Sequence, residues 1–95
     1  MRYVKYKIPF INNLYLLKWY PKAITGIHNH PEKYCDVVII NNSLYEYQYI
    51  LNKNDFKKIN EKKLNASFMY TLPPEIYHDV HNNTNSYVYS LNYYY

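Results

Sequence analysis

His28 and His30 stand two residues apart in the segment Ile27-His28-Asn29-His30. On an extended strand alternate side chains leave the same face, so both imidazoles can reach one metal ion. Adjacent histidines would point to opposite faces. The plain alternative is a pair of surface or packed histidines. A third histidine, His78, follows Pro73 by five residues and precedes Asn82 by four. Convergence of His28, His30 and His78 on one ion would bring their ring nitrogens within about 5 Å of one another, since ligand bonds run near 2 Å. Three neutral imidazoles leave a dication its full charge and open positions, which suits direct binding of an anionic substrate. His81 falls opposite His78 on a regular strand and reads as exposed, although a bulge would reverse that. Asn82 reads as a support for His78, bonding backbone or a ligand imidazole rather than the ion itself.

The elements that must hold these residues read as short strands. Arg2 to Ile8 alternates loosely and ends at Pro9, and Leu14 to Tyr20 is a strand stopped by Pro21. Gly26, the single glycine, precedes a short strand Ile27 to His30 that Pro31 closes. Cys35 to Ile40 reads as a buried strand, Asn41-Asn42-Ser43 as a tight turn, and Leu44 to Leu51 as the alternating return. Asn52 to Asn65 is polar and charged, and reads as a loop or a short strand with flanking turns. Ser67 to Leu72, Ile76 to His81 and Ser86 to Tyr95 complete the set. Short strands with frequent turn signals imply one all-β domain over residues 1–95, an antiparallel sandwich or barrel. On the last strand, Ser86, Val88, Ser90, Asn92 and Tyr94 share one face, and that polar content suits a pocket lining.

Composition narrows the rest. Ninety-five residues with 15 Tyr and one Gly favour pleated strands over long helices. The abundance of Asn, Lys, Ile and Tyr is equally the mark of an AT-rich genome. Net charge is a mild +4. Lys57, Lys58, Lys62 and Lys63 read as a solvated stretch in preference to a single-strand nucleic-acid track, so no nucleic-acid partner is expected. No apolar run approaches membrane-spanning length and no leader is evident, so a cytoplasmic protein without a membrane partner is expected. One cysteine excludes an internal disulfide. An exposed edge or the tyrosine-rich face would support a homodimer.

Two stretches resemble known motifs. Gly26-Ile27-His28-Asn29-His30 resembles the first cupin motif, and Pro73 to Asn82 resembles the second, P-x-G-x-x-H-x-x-x-N, with Glu75 in place of its glycine. The resemblance implies a small cupin-type antiparallel β-barrel, a jelly roll, holding one metal ion on His28, His30 and His78. Most metal cupins add a glutamate four or five residues after the second histidine, where this chain has Tyr34 and Cys35. Glu32 is too close to the turn after Pro31, and Asp36 points away if Cys35 points inward.

From about Leu14 to Tyr94 the chain further resembles cysteine dioxygenase and its thiol dioxygenase relatives, through Trp19, the two histidine segments, Cys35, Ser90 and Tyr94. That resemblance implies non-haem Fe(2+), or another divalent transition metal, and transfer of both atoms of O2 to a small-molecule thiol to give a sulfinate. It also implies that Cys35 cross-links through sulfur to Tyr94, with Tyr93 and Tyr95 as rivals in register, and that Tyr94 positions oxygen or substrate. Taken without the resemblance, Cys35 is a small buried hydrophobe. The family's Ser-His-Tyr relay is altered, because Asn92 stands between Ser90 and Tyr94; an amide orients a phenol but does not shuttle its proton. The arginine that would hold a substrate carboxylate falls on Arg2, with Tyr3, Lys5, Tyr6 and Lys7 nearby; Lys5 and Tyr6 read with it as substrate-binding. The thiol would be cysteine, a larger thiol or the N-terminal cysteine of a peptide. A non-enzymatic cupin binding a small ligand or protein partner, and another three-histidine cupin enzyme, are the alternatives.

Overall fold

The computed structural model describes residues 3–30 and 32–95, so Arg2 and Pro31 lie outside the described residues. Among the described residues eight strands form: β1 (Tyr3–Lys7), β2 (Leu14–Trp19), β3 (Cys35–Ile39), β4 (Ser43–Asn52), β5 (Asp55–Asn65), β6 (Met69–Leu72), β7 (Tyr77–His81) and β8 (Val88–Tyr94). They pair antiparallel into a five-stranded sheet, β1-β2-β8-β3-β6, and a three-stranded sheet, β5-β4-β7. The two sheets form a flattened jelly roll. No helix among the described residues is long and apolar enough to cross a membrane.

Alternation decides which side chains fill the space between the sheets. In β3, Cys35, Val37 and Ile39 are buried while Asp36 and Val38 are half-buried. In β4, Leu44, Glu46 and Gln48 point inward and the tyrosines between them outward. In β8, Val88, Ser90 and Asn92 are buried on the face expected to line a pocket. Leu17, Trp19, Ile39, Leu44, Leu64 and Val88 form the heart of the apolar core. Glu46, Gln48, His78, Asn82, Ser90 and Asn92 are also buried. Buried polar groups cost free energy unless hydrogen-bonded, so their partners bear directly on function.

Two segments differ from the sequence reading. Ile27 to His30 is not a strand. Gly26 takes φ 85°, a left-handed value open to glycine at little cost. In place of a ladder the segment meets β7 through the isolated bridges Ile24↔His81 and His28↔His78 and single bonds such as Thr25 N–H to the Val80 carbonyl at 3.0 Å. The His28 bridge exchanges both backbone hydrogen bonds, at 2.9 and 2.7 Å. The second segment, Asn52 to Asn65, is mainly the 11-residue strand β5, paired with β4 from Asn52↔Asp55 to Ser43↔Asn65 with a register shift at Gln48/Tyr49. Only Leu64 of β5 is buried, so a continuous backbone ladder holds the strand with little help from side-chain burial. Its exposed lysines are of the kind that discourages edge-to-edge pairing.

Candidate metal centre

His78 sits on β7, and the bridge to His28 places that residue directly across from it. His30 follows two residues later. One ligand atom from each of the three rings lies within 4.8 Å of the others. The ring centroids of His28 and His78 are 4.5 Å apart, and His30 stands edge-on to both at 5.0 and 5.3 Å. The irregular segment thus achieves the convergence that a strand was expected to provide.

Hydrogen bonds select which nitrogens face inward. Nδ1 of His28 lies 2.8 Å from the Gly26 carbonyl oxygen, which can only accept, so we assign the proton to Nδ1 and the lone pair to Nε2. Nδ1 of His78 lies 3.0 Å from Oε2 of Glu46, whose other oxygen accepts from Gln48 Nε2 at 3.1 Å. With both carboxylate oxygens accepting, His78 likewise carries its proton on Nδ1. Its Nε2 is buried and has no hydrogen-bond partner. A lone pair stranded in the interior is costly unless something accepts it. A transition-metal ion does so, and neutral imidazoles tied back through their other nitrogen are the donors such ions prefer. The residues present therefore fit a metal ion.

The pKa shifts agree with that donor set. Burial pushes His30 down from 6.5 to about 4, helped by the neighbouring His78, His28 and Lys5. Burial also lowers His28, partly offset by its bond to the Gly26 carbonyl. Both rings are thus held neutral near pH 7, as coordination requires. The loop carrying His28 is pinned from β7: the Asp79 carboxylate accepts from the Gly26 N–H at 3.0 Å and pairs with His81 Nε2 at 2.8 Å. His81 is consequently half-buried, 22% exposed, rather than exposed.

Cys35 and Tyr94 are cross-strand partners on β3 and β8. Their neighbours Tyr34 and Tyr95 exchange both backbone hydrogen bonds, at 2.7 and 3.0 Å. Cys35↔Tyr94 is therefore a non-hydrogen-bonded pair, the narrower type in which side chains approach most closely. The two groups shift each other's acidity in the sense of the Tyr94 hydroxyl facing the sulfur as a donor, and Asn92 Nδ2 reaches Cys35 Sγ at 3.7 Å. Burial pushes the thiol up to about 11 and the phenol well above its usual range. The Tyr94 ring lies 5.5 Å from that of His30. Tyr93 and Tyr95 stack on the outer face, where Tyr95 donates to Asp36 at 3.1 Å, so Tyr94 is the inward tyrosine. Ser90 accepts from Trp19 Nε1 at 3.0 Å and donates to Asn92 Oδ1 at 2.8 Å.

Other expected residues divide. Lys5 places its ammonium over the rings of Tyr15 and Tyr94, at 4.3 and 4.5 Å. Burial lowers its pKa. Tyr6, next along β1, leaves the opposite face and is 49% exposed; Tyr3, two residues before Lys5, lines the cavity in its place. Arg2 lies outside the described residues. Asn82 is fully buried, and none of its side-chain hydrogen bonds among the described residues goes to an imidazole. It donates to the Tyr20 and Ser86 carbonyls at 3.0 and 2.9 Å and accepts from Thr84 at 2.7 Å, so it fixes the β7–β8 turn against the end of β2. Glu46 was not anticipated as part of the site. Its signal is the one acidic residue on the inward face of an alternating strand, between Leu44 and Gln48.

All three histidines, Cys35, Asn92 and Tyr94 line one cavity of about 40 Å3 between the sheets. No family model and no curated protein matches the chain. Solved structures do. The Drosophila melanogaster CENP-C cupin domain superposes with a TM-score of 0.75 at 9% identity, covering 98% of this chain and 68% of that one. The same protein bound to CAL1 gives 0.73 at 9%, covering 98% and 80%. This is a cupin fold. Two further cupins are similar: an oxalate oxidase in complex with the substrate analogue glycolate (TM-score 0.67, 13% identity, 85% of this chain and 40% of that), and a predicted oxalate decarboxylase from Thermotoga maritima (0.62, 15%, 85% and 63%). The chain thus spans less than two thirds of either oxalate-enzyme chain.

Proposed function

We propose that this cupin is a metal-dependent thiol dioxygenase, with one divalent transition metal held by His28, His30 and His78. The reading favours iron(II), O2 and a small thiol, RSH + O2 giving the sulfinic acid RSO2H, so both oxygen atoms end on sulfur and no further reductant is needed. A bound iron(II) would supply redox chemistry toward O2 and a positive charge that favours a substrate thiolate. The protein's own residues supply placement. His28 and His78 are locked in the tautomer that offers Nε2, and the half-buried Tyr94 hydroxyl remains protonated as a donor toward a ligand beside His30. Asn92 holds the Cys35 sulfur without moving a proton. Lys5, at the rings of Tyr15 and Tyr94, is a cation among the described residues that would suit a substrate carboxylate.

The observation that carries this reading is the Cys35↔Tyr94 pair in the cavity of the three histidines. Its test is oxygen uptake by iron-loaded protein with a panel of free thiols and an N-terminal-cysteine peptide, with product mass read in parallel. The expected result is uptake matched to a product gaining both oxygen atoms. Iron-loaded protein that consumes no O2 with any thiol overturns it. A second reading, a cupin that binds a partner without turnover, is favoured by the CENP-C cupin, matched over 98% of this chain and solved bound to CAL1. Metal binding without oxygen uptake is the result that reading expects.

A further inference from the structure

Glu46 is 1% exposed, and its hydrogen-bond partners are His78 Nδ1 at 3.0 Å and Gln48 Nε2 at 3.1 Å. Lys62 faces it in register on β5, but the described ion pairs include none between them. Removing a carboxylate from water costs several kcal/mol, and a neutral imidazole N–H offsets only part of that. The same imidazole presents the stranded Nε2 on its other side. A buried carboxyl group and an unpaired ring nitrogen thus sit on opposite edges of one imidazole, and a cation at Nε2 suits both.

We propose that Glu46, acting through His78, is the carboxylate of this metal centre, a positioning residue that supplies one bond further out the negative charge absent at Tyr34 and Cys35. This rests on the three-histidine metal reading. The hydrogen bond fixes the ring's tautomer and orientation and draws the Nδ1 proton toward the carboxylate, which makes Nε2 the stronger donor. The ion keeps its open positions because no carboxylate occupies one. Gln48 holds the free oxygen of Glu46, and Asn60 of β5 donates to Gln48 at 3.5 Å, so the carboxylate is aimed from the small sheet. Loss of such an outer partner typically lowers metal affinity by about 10- to 100-fold.

The test is zinc(II) affinity by chelator competition on wild type and E46Q, with strand content and the thermal midpoint of the metal-free proteins recorded beside it. E46Q keeps the shape and an acceptor for Nδ1–H while removing the charge, and Gln48 turns its amide to accept from the new NH2. The expected result is affinity about 10- to 100-fold weaker with a metal-free midpoint that does not fall. Equal zinc affinity overturns the proposal, including the case where only the midpoint drops, which is what a purely structural role would give. Wild type that binds neither zinc(II) nor cobalt(II) overturns the three-histidine centre itself, and this proposal with it. If E46Q does not fold, wild-type protein loaded with cobalt(II) decides. A paramagnetically shifted His78 Nδ1–H that exchanges slowly with water supports the proposal, and only fast-exchanging ring protons overturn it.

Discussion

The two walls of the cavity are each built on a chain of side-chain hydrogen bonds, and the chains differ in kind. On the three-stranded sheet the chain runs Asn60, Gln48, Glu46, His78 and ends in a lone pair aimed inward. On the five-stranded sheet it runs Trp19, Ser90, Asn92, Cys35 and ends in a thiol held at a tyrosine. The first contains a carboxylate and ends in an open lone pair, which a cation would close. The second is neutral along its length and is satisfied without one. One wall is therefore organised to hold charge, and the other to hold a sulfur and a phenol in register.

Breaking the charged wall should have the largest effect. His78→Ala removes a ligand and strands Glu46, so metal content by elemental analysis should fall to background. Stability in chemical denaturation should drop by about 3–5 kcal/mol, the usual cost of orphaning one partner of a buried pair. A variant that retains stoichiometric metal would sink the assignment of His78. Asn82 belongs to neither wall and provides the contrast. Asn82→Ala leaves the Tyr20 and Ser86 carbonyls without their amide donor, a cost of about 3 kcal/mol for several buried bonds. Its zinc affinity should stay within a few-fold of wild type. A large loss of affinity would mean that the β7–β8 turn, and not Glu46, sets the ring of His78.

Much of this architecture was legible in the sequence because alternation is a strong signal where one strand face is buried. Ser90, Asn92 and Tyr94 were placed together by period two alone, and β8 puts them on one face. Spacing paired His28 with His30, and the resemblance to the second cupin motif added His78, although the backbone of the first segment is not the expected strand. Gly26 and the bridge to β7 bring His28 into place, a long-range effect with no local periodicity. β5 was obscured because an edge strand exposed on nearly all sides carries no burial pattern. Tyr6 was misplaced for want of the register that puts Tyr3 and Lys5 on the other face of β1. Glu46 escaped because an acid in an alternating strand looks like an outward residue until the parity of Leu44 and Gln48 is fixed.

The neutral wall should respond more gently, and without loss of metal. Ser90→Ala leaves Trp19 Nε1–H and Asn92 Oδ1 buried and unpaired. About 2 kcal/mol of stability should be lost. Zinc affinity should remain at the wild-type value, since no member of this chain bonds a histidine. Denaturation and chelator competition on the same preparation check both halves. A variant weakened in zinc binding would erase the distinction between the walls.

Acid should separate the walls with the smallest effect. His30 titrates near 4 in the folded protein against 6.5 when free, chiefly because it is buried. Between those values the unfolded chain binds the extra proton and the folded chain does not, so stability of the metal-free protein falls as pH drops from about 6.5 toward 4. His28 shifts in the same direction and adds to the slope. His30 is half exposed, and solvent screening leaves it a contribution of about 1 kcal/mol. Cys35, pushed up to about 11, stays a thiol throughout this range and adds nothing. Thermal midpoints of metal-free protein across this window should therefore decline for wild type and decline less for His30→Gln. A slope unchanged in His30→Gln would place the acid sensitivity elsewhere than on the histidine wall.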